Sequence, residues 1–139
     1  MRIPDFSYST HFLKRCFIKT SLDKIRKGYK MEEFFQVRGS ILTIRIPDEL
    51  DHHSAETIRE GSERILESQS IREVVFDFRD TKFMDSSGIG MLMGRYRSMN
   101  QMGGVVKAVH VKERVAKILQ LSGIYKVIPI ELEKSWGDV

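Results

Sequence analysis

The chain has 139 residues, enough for one domain whose core needs neither disulfide nor metal to hold it. Hydrophobic residues make up 41% and charged residues 30%, an ordinary globular balance, and the single cysteine, Cys16, excludes an internal disulfide. The formal net charge of +4 invites a nucleic-acid reading, but residues 1–30 hold eight Lys/Arg against two Asp/Glu, which leaves 15 of the 23 basic and 17 of the 19 acidic residues for 31–139 and excludes a strongly basic body.

Residues 1–30 show no sustained apolar period and no helix-capping logic. No run approaches the roughly 20 apolar residues of a bilayer span. The stretch 11–20 is broken by Lys14 and Arg15 and lacks a small-residue cleavage site after it, so a secretory signal is not expected and the chain reads as cytoplasmic. A basic amphipathic tail, a targeting segment and translated upstream sequence compete for this stretch. The third is preferred: Lys27-Gly28 can be encoded by a purine-rich ribosome-binding sequence, with Tyr29-Lys30 as the spacer before a start at Met31. On that reading 1–30 is a disordered extension and the domain occupies 31–139.

The runs 34–38 and 41–46 read as two strands joined at Gly39-Ser40, with Pro47 closing the second. Asp51 can cap a helix whose apolar face is Ala55, Ile58, Ile65 and Leu66. Residues 71–78 are β-branched and aromatic, and predict a central strand covered on both faces. Asp85-Ser86-Ser87 opens a second helix with the stripe Ile89, Leu92, Met93, Tyr96 and Met99, ended by Gly103-Gly104. A strand at 105–111 follows, then a third helix marked by Val115, Ile118 and Leu119 and stopped at Ser122-Gly123. A short strand at 127–130 closes the order ββαβαβαβ. Strands alternating with helices imply an α/β fold with a mixed, mostly parallel sheet and right-handed crossovers, the initial hairpin adding an antiparallel edge.

The stretch Phe83-Met84-Asp85-Ser86-Ser87-Gly88-Ile89-Gly90 carries the most chemistry. A helix N-terminus leaves backbone N–H groups unpaired and is partially positive, so a serine there is placed to carry a phosphate. Gly88 and Gly90 remove side chains beside it, which lets another molecule approach closely. The plainer reading is that Asp85 or Ser86 caps the helix. Capping leaves the two serines and two glycines unexplained, since each glycine costs about 1 kcal/mol of helix propensity. In the second stretch, Glu49-Leu50-Asp51-His52-His53-Ser54-Ala55-Glu56, the adjacent histidines suggest metal. Neighbours on a helix point about 100° apart, however, and no His or Cys follows at i+4, so no metal is expected. A Ser–His–Asp hydrolase using Ser86 with His52 or His53 is formally possible, but nothing resembles a G-x-S-x-G elbow.

Residues 49–56 and 83–96 (FMDSSGIGMLMGRY) together resemble the signature segments of the STAS-domain anti-sigma factor antagonists. The Asp-Ser-Ser-Gly motif marks the wider family. Joined to Glu49-Leu50-Asp51-His52-His53, it points to the anti-sigma F branch, the stage II sporulation AA type. The resemblance spans about residues 32–130. It implies a small sheet with helices on one side, no cofactor and no catalytic activity. It also implies a partner that is both anti-sigma factor and serine kinase. The unphosphorylated antagonist binds this partner in its ADP state and frees the sigma factor. The ATP-loaded partner phosphorylates the first serine of the motif, here Ser86, and lets go; a separate serine phosphatase resets the switch. Two departures stand out: the family's glycine before the first Glu is Asp48 here, and 131–139 offers only Leu132 and Trp136 where the family has a longer amphipathic helix.

Phosphorylation adds about −1.5 to −2 charges. With Glu49, Asp51 and Asp85 at the same edge, the new charge would join an acidic patch that contacts basic groups of the partner. Ser87, Gly88, Ile89, Gly90 and Met91 are expected on the docking rim. Arg95 is read either as a polar contact or as a solvated charge, and Ser87 is the alternative phosphosite. Three further readings are an antagonist of a general-stress anti-sigma kinase, a small serine hydrolase, and a nucleic-acid binder acting through the basic tail. The switch reading expects neither nucleic acid nor membrane as a partner.

Overall fold

The computed structural model describes residues 34–133, so the expectations for 1–30 and for the last six residues lie outside the described residues. Among the described residues, seven strands and three α-helices follow in the order β1 (Phe35–Arg38), β2 (Ile41–Arg45), β3 (Glu49–Leu50), α1 (His52–Ser68), β4 (Glu73–Asp77), β5 (Phe83–Met84), α2 (Ser86–Gln101), β6 (Val105–Val111), α3 (Glu113–Ser122) and β7 (Ile130–Leu132). The main sheet runs β1-β2-β4-β6-β7, with β1 antiparallel to β2 and every other pairing parallel. Strand order advances in one direction from β2 to β7. Right-handed crossovers that all step the same way lay α1, α2 and α3 on one face of the sheet.

The β1–β2 turn is Gly39-Ser40, and Gly39 sits at φ +60°, where a Cβ would be strained. On the helix side Leu42, Ile44, Val74, Phe76, Val106 and Ala108 form the buried floor of the core. On the other side Thr43, Val75 and Lys107 are partly exposed, and Lys107 pairs with Glu73 at 3.3 Å. The expectation that β4 is covered on both faces is therefore corrected. Val75 is in the strand because a branched side chain suits the pleat, not because both faces are dry.

The last strand is also displaced. Residues 124–126 form a 3-10 turn, Ile124 and Ile128 are buried, and β7 begins only at Ile130. Pro129 has no N–H to give to a ladder, although its carbonyl accepts from the Ala108 N–H at 2.9 Å, so the regular strand starts after it. Gly123 ends α3 in the left-handed region at φ +79°, as Ser122-Gly123 predicts.

β3 and β5 are two residues each, too short for any periodic signal. They pair with one another, Glu49 opposite Phe83 and Leu50 opposite Met84, as a separate parallel ribbon. Further hydrogen bonds extend it, from the Lys82 N–H to the Asp48 carbonyl at 2.8 Å and from the Asp85 N–H to the Leu50 carbonyl at 3.2 Å. Each of the two strands leads directly into a helix, β3 into α1 and β5 into α2.

Candidate functional site: two helix N-termini on one ribbon

The ribbon sets the starts of α1 and α2 side by side. Asp51 is the N-cap of α1; its carboxylate accepts from the Ser54 N–H at 2.9 Å, and the Ser54 hydroxyl accepts from the Asp51 N–H at 3.0 Å. Those bonds, the backbone one above all, hold the Asp51 carboxyl below its ordinary range, with partial burial opposing and His53 assisting. Asp85 is the N-cap of α2 and accepts from the Ser87 N–H at 2.8 Å. Both N-caps are aspartates, so α2 does not need Ser86 for this purpose.

Ser86 is thereby left free. It is the first residue of α2, its side chain is exposed, and among the described residues its hydroxyl has no hydrogen-bond partner. Ser87 is only partly exposed. Glu49, Asp51, His52 and His53 are exposed on the neighbouring helix start, the two imidazoles edge to face with centroids 5.8 Å apart. Neither histidine is bonded to Ser86, so the Ser–His–Asp arrangement that the sequence permits is not assembled. Among the described residues no group of three His, Cys, Asp or Glu side chains converges to hold a metal.

The docking rim expected from sequence divides in two. Gly90 is exposed, and a Cβ there would meet nothing within 4 Å; Ile89 is partly exposed against the edge of the core. Gly88, Met91 and Arg95 are buried and give a partner no surface. At Gly88 an added Cβ would lie 2.8 Å from Leu50 Cδ2 and 3.1 Å from Met84 Cε, so this glycine serves the seating of α2 on the ribbon and not the approach of another molecule. Arg95 is neither a surface charge nor an outward contact. Only 3% exposed, it packs between α1 and α2, with Nη1 3.5 Å from Ser62 Oγ and Nη2 3.6 Å from Glu63 Oε1, and its Nε has no partner. The inner line of α2 runs Gly88, Met91, Leu92, Arg95, Met99. Counting apolar residues alone rotates that line toward Ile89, Met93 and Tyr96.

Sequence reasoning missed Phe83. It is 48% exposed while Met84, beside it, is buried. A two-residue strand gives no periodic signal for it; its outward turn follows by alternation only once Met84 is placed in the core. A cleft of about 760 Å³ between α3 and β7 and one of about 570 Å³ beside β1 and Arg45 do not reach Ser86. The serine therefore stands on an open surface, an arrangement suited to contact with a macromolecule more than to enclosing a small substrate.

The STAS domain family matches residues 35–135. The anti-sigma F factor antagonist of Paenibacillus polymyxa is 34% identical over 90 residues, 65% of this chain and 77% of that protein. The anti-sigma-B factor antagonist of Bacillus subtilis is 25% identical over 96 residues, 69% of this chain and 86% of that protein. Among solved structures, the Bacillus cell fate determinant SpoIIAA in its phosphorylated form superposes with a TM-score of 0.58 at 27% identity, covering 75% of this chain and 94% of that one. SpoIIAA described as an anti-sigma factor antagonist in its unphosphorylated form gives the same TM-score of 0.58 at 26% identity, over 75% and 92%.

Proposed function

Because the chain belongs to the STAS domain family, we propose that it is an anti-sigma factor antagonist whose docking face is switched off by phosphorylation of Ser86. It is a regulatory protein and not an enzyme. The proposed partner is an anti-sigma factor that is also a serine kinase, with a separate serine phosphatase to reverse the modification. Sigma factors act with RNA polymerase, so the proposed compartment is the cytoplasm.

The observation that carries this reading is the exposed, unpartnered Ser86 hydroxyl beside a second helix start. Asp85 has taken over the capping, so the hydroxyl is available to a kinase. A dianionic phosphate there would stand next in sequence to the Asp85 carboxylate and near the exposed Glu49 and Asp51, on the face proposed to meet basic groups of the partner. Losing only ~3 kcal/mol of contact would weaken binding more than a hundredfold. The helix dipole would stabilise the phosphate by about 0.3–1 kcal/mol at such an exposed position, so the modification needs no refolding to persist.

Two relatives favour different partners. The higher identity to the anti-sigma F antagonist of P. polymyxa, with Glu49-Leu50-Asp51-His52-His53, favours the sporulation branch; the anti-sigma-B relative keeps the general-stress branch as the second reading. Titrating the chain separately against anti-sigma F factor from P. polymyxa and anti-sigma-B factor from B. subtilis decides between them. Tighter binding to the F factor is expected; preference for the B factor overturns the sporulation assignment. Incubation with the partner and ATP should place phosphate on Ser86, and phosphate on Ser87 alone contradicts the site.

A further inference from the structure

We infer that Phe83 is the apolar anchor of this docking face, and that the ribbon β3–β5 exists in part to present it beside the switch serine. The inference rests on the antagonist reading above and adds the residue and surface chemistry by which the partner is held. The ribbon has two sides. Leu50 and Met84 point inward and are buried, while Glu49 and Phe83, register partners in the ladder, point outward. A single exposed aromatic ring is unremarkable on a protein surface. This one is placed by a strand that continues directly into α2, three residues ahead of Ser86 and opposite the strand that opens α1. The ring thus sits on the same ribbon that leads into both helix starts.

The surroundings of the ring define its occupant. Asp48 and Glu49 are exposed, and among the described residues neither carboxylate has an ion-pair partner; Asp48 only accepts the N–H of Glu49 at 3.0 Å. Asp51 and Asp85 cap the adjoining helices. Lys82 is the single Lys or Arg in the segments 48–56 and 82–90, which also hold His52 and His53. An exposed ring rimmed by unneutralised carboxylates fits a protein surface with an apolar pocket edged by Lys or Arg. Nucleic acid or an anionic membrane would be repelled by the same rim. Aromatic rings seated in desolvated pockets dominate binding energy far more often than rim charges do. The anchor therefore sets affinity, and the carboxylates set orientation. A phosphate on Ser86, three residues along the chain, would have to be desolvated as that pocket closes.

The test is calorimetric titration of anti-sigma F factor from P. polymyxa into the full chain and its variants, with thermal unfolding of each variant as the check on folding. Phe83→Ala should weaken binding at least tenfold with an unchanged melting midpoint. Phe83→Tyr should bind within about threefold of the parent, and Phe83→Lys should not bind measurably. Ser86→Asp serves as the control for the switch. If the parent binds and Ser86→Asp does not, while Phe83→Ala and Phe83→Lys bind like the parent, the anchor is overturned and the antagonist reading stands. If the parent binds neither this factor nor anti-sigma-B factor from B. subtilis, both fall.

Discussion

Two glycines in the first turn of α2 look alike in sequence and do opposite things. At Gly88 a Cβ would intrude on Leu50 and Met84; at Gly90 it would project into open space. Gly88→Ala is expected to destabilise the fold by about 1–3 kcal/mol, the usual cost of overpacking a closed contact. Gly90→Ala should stabilise it by up to about 1 kcal/mol through helix propensity. Urea unfolding of the two variants checks the pair, and equal effects would contradict the geometry.

Asp51 supplies a prediction with a defined sign. Its carboxyl is held below the ordinary carboxylate range, chiefly by the Ser54 N–H. A carboxyl lowered in the folded state adds stability that is present above its unfolded value and lost as pH falls through the folded value. Asp51→Ala should therefore cost about 1 kcal/mol near neutrality, the ordinary worth of an N-cap. The gap to the parent should narrow as pH falls below about 4. Denaturant midpoints measured from pH 7 down to pH 2 show whether it does; a gap constant across that range would mean that the carboxylate form is not what caps α1.

At the scale of elements, the joint between α1 and α2 carries a buried arginine with poor company. Burial lowers the pKa of the Arg95 guanidinium, and Glu63 raises it only in part. Glu63 is itself shared with Arg59, at 3.0 Å. Buried ionic groups with long contacts are commonly replaced by apolar side chains at little loss. Arg95→Met should leave stability within about 1 kcal/mol of the parent or raise it. Arg95→Ala, which leaves a cavity, should cost at least about 2 kcal/mol. A large loss for Arg95→Met, read from thermal or urea midpoints, would show that the guanidinium holds the two helices by more than its visible bonds.

The elements also show what the sequence could and could not carry. The hairpin at Gly39-Ser40, the strand 105–111 and the stop at Ser122-Gly123 were legible because each has a strong local signal: a turn pair, a valine-rich run, a left-handed glycine. The ribbon was not, since two residues have no period. Without it, the pairing of the two helix starts and the outward turn of Phe83 stay hidden. The inner line of α2 was misjudged because a glycine and an arginine occupy it. The Asp-Ser-Ser-Gly segment was legible as a helix start. That Asp85 caps α2, leaving Ser86 without a capping role, required the hydrogen bond from the Ser87 N–H to the Asp85 carboxylate.

For the whole molecule, the helices lie on one face of a sheet whose strands advance in one direction. The starts of α1 and α2 meet at one edge of that architecture, above the ribbon. The site described is built from residues 48–56 and 83–90, and residues 31–139 hold 15 basic against 17 acidic side chains. A chain beginning at Met31 should fold with the same midpoint and bind the partner within about twofold of the full chain, a change of under ~0.5 kcal/mol. Loss of binding on that truncation would place part of the recognition in the first thirty residues.

The central claim is that one charge-bearing modification at the free hydroxyl of Ser86 abolishes a docking surface without altering the fold. The most direct measurement is the affinity of ADP-loaded anti-sigma F factor for the chain before and after stoichiometric phosphorylation at Ser86. A loss of at least a hundredfold with an unchanged circular dichroism spectrum is expected; equal affinity for the two forms would refute the switch at Ser86.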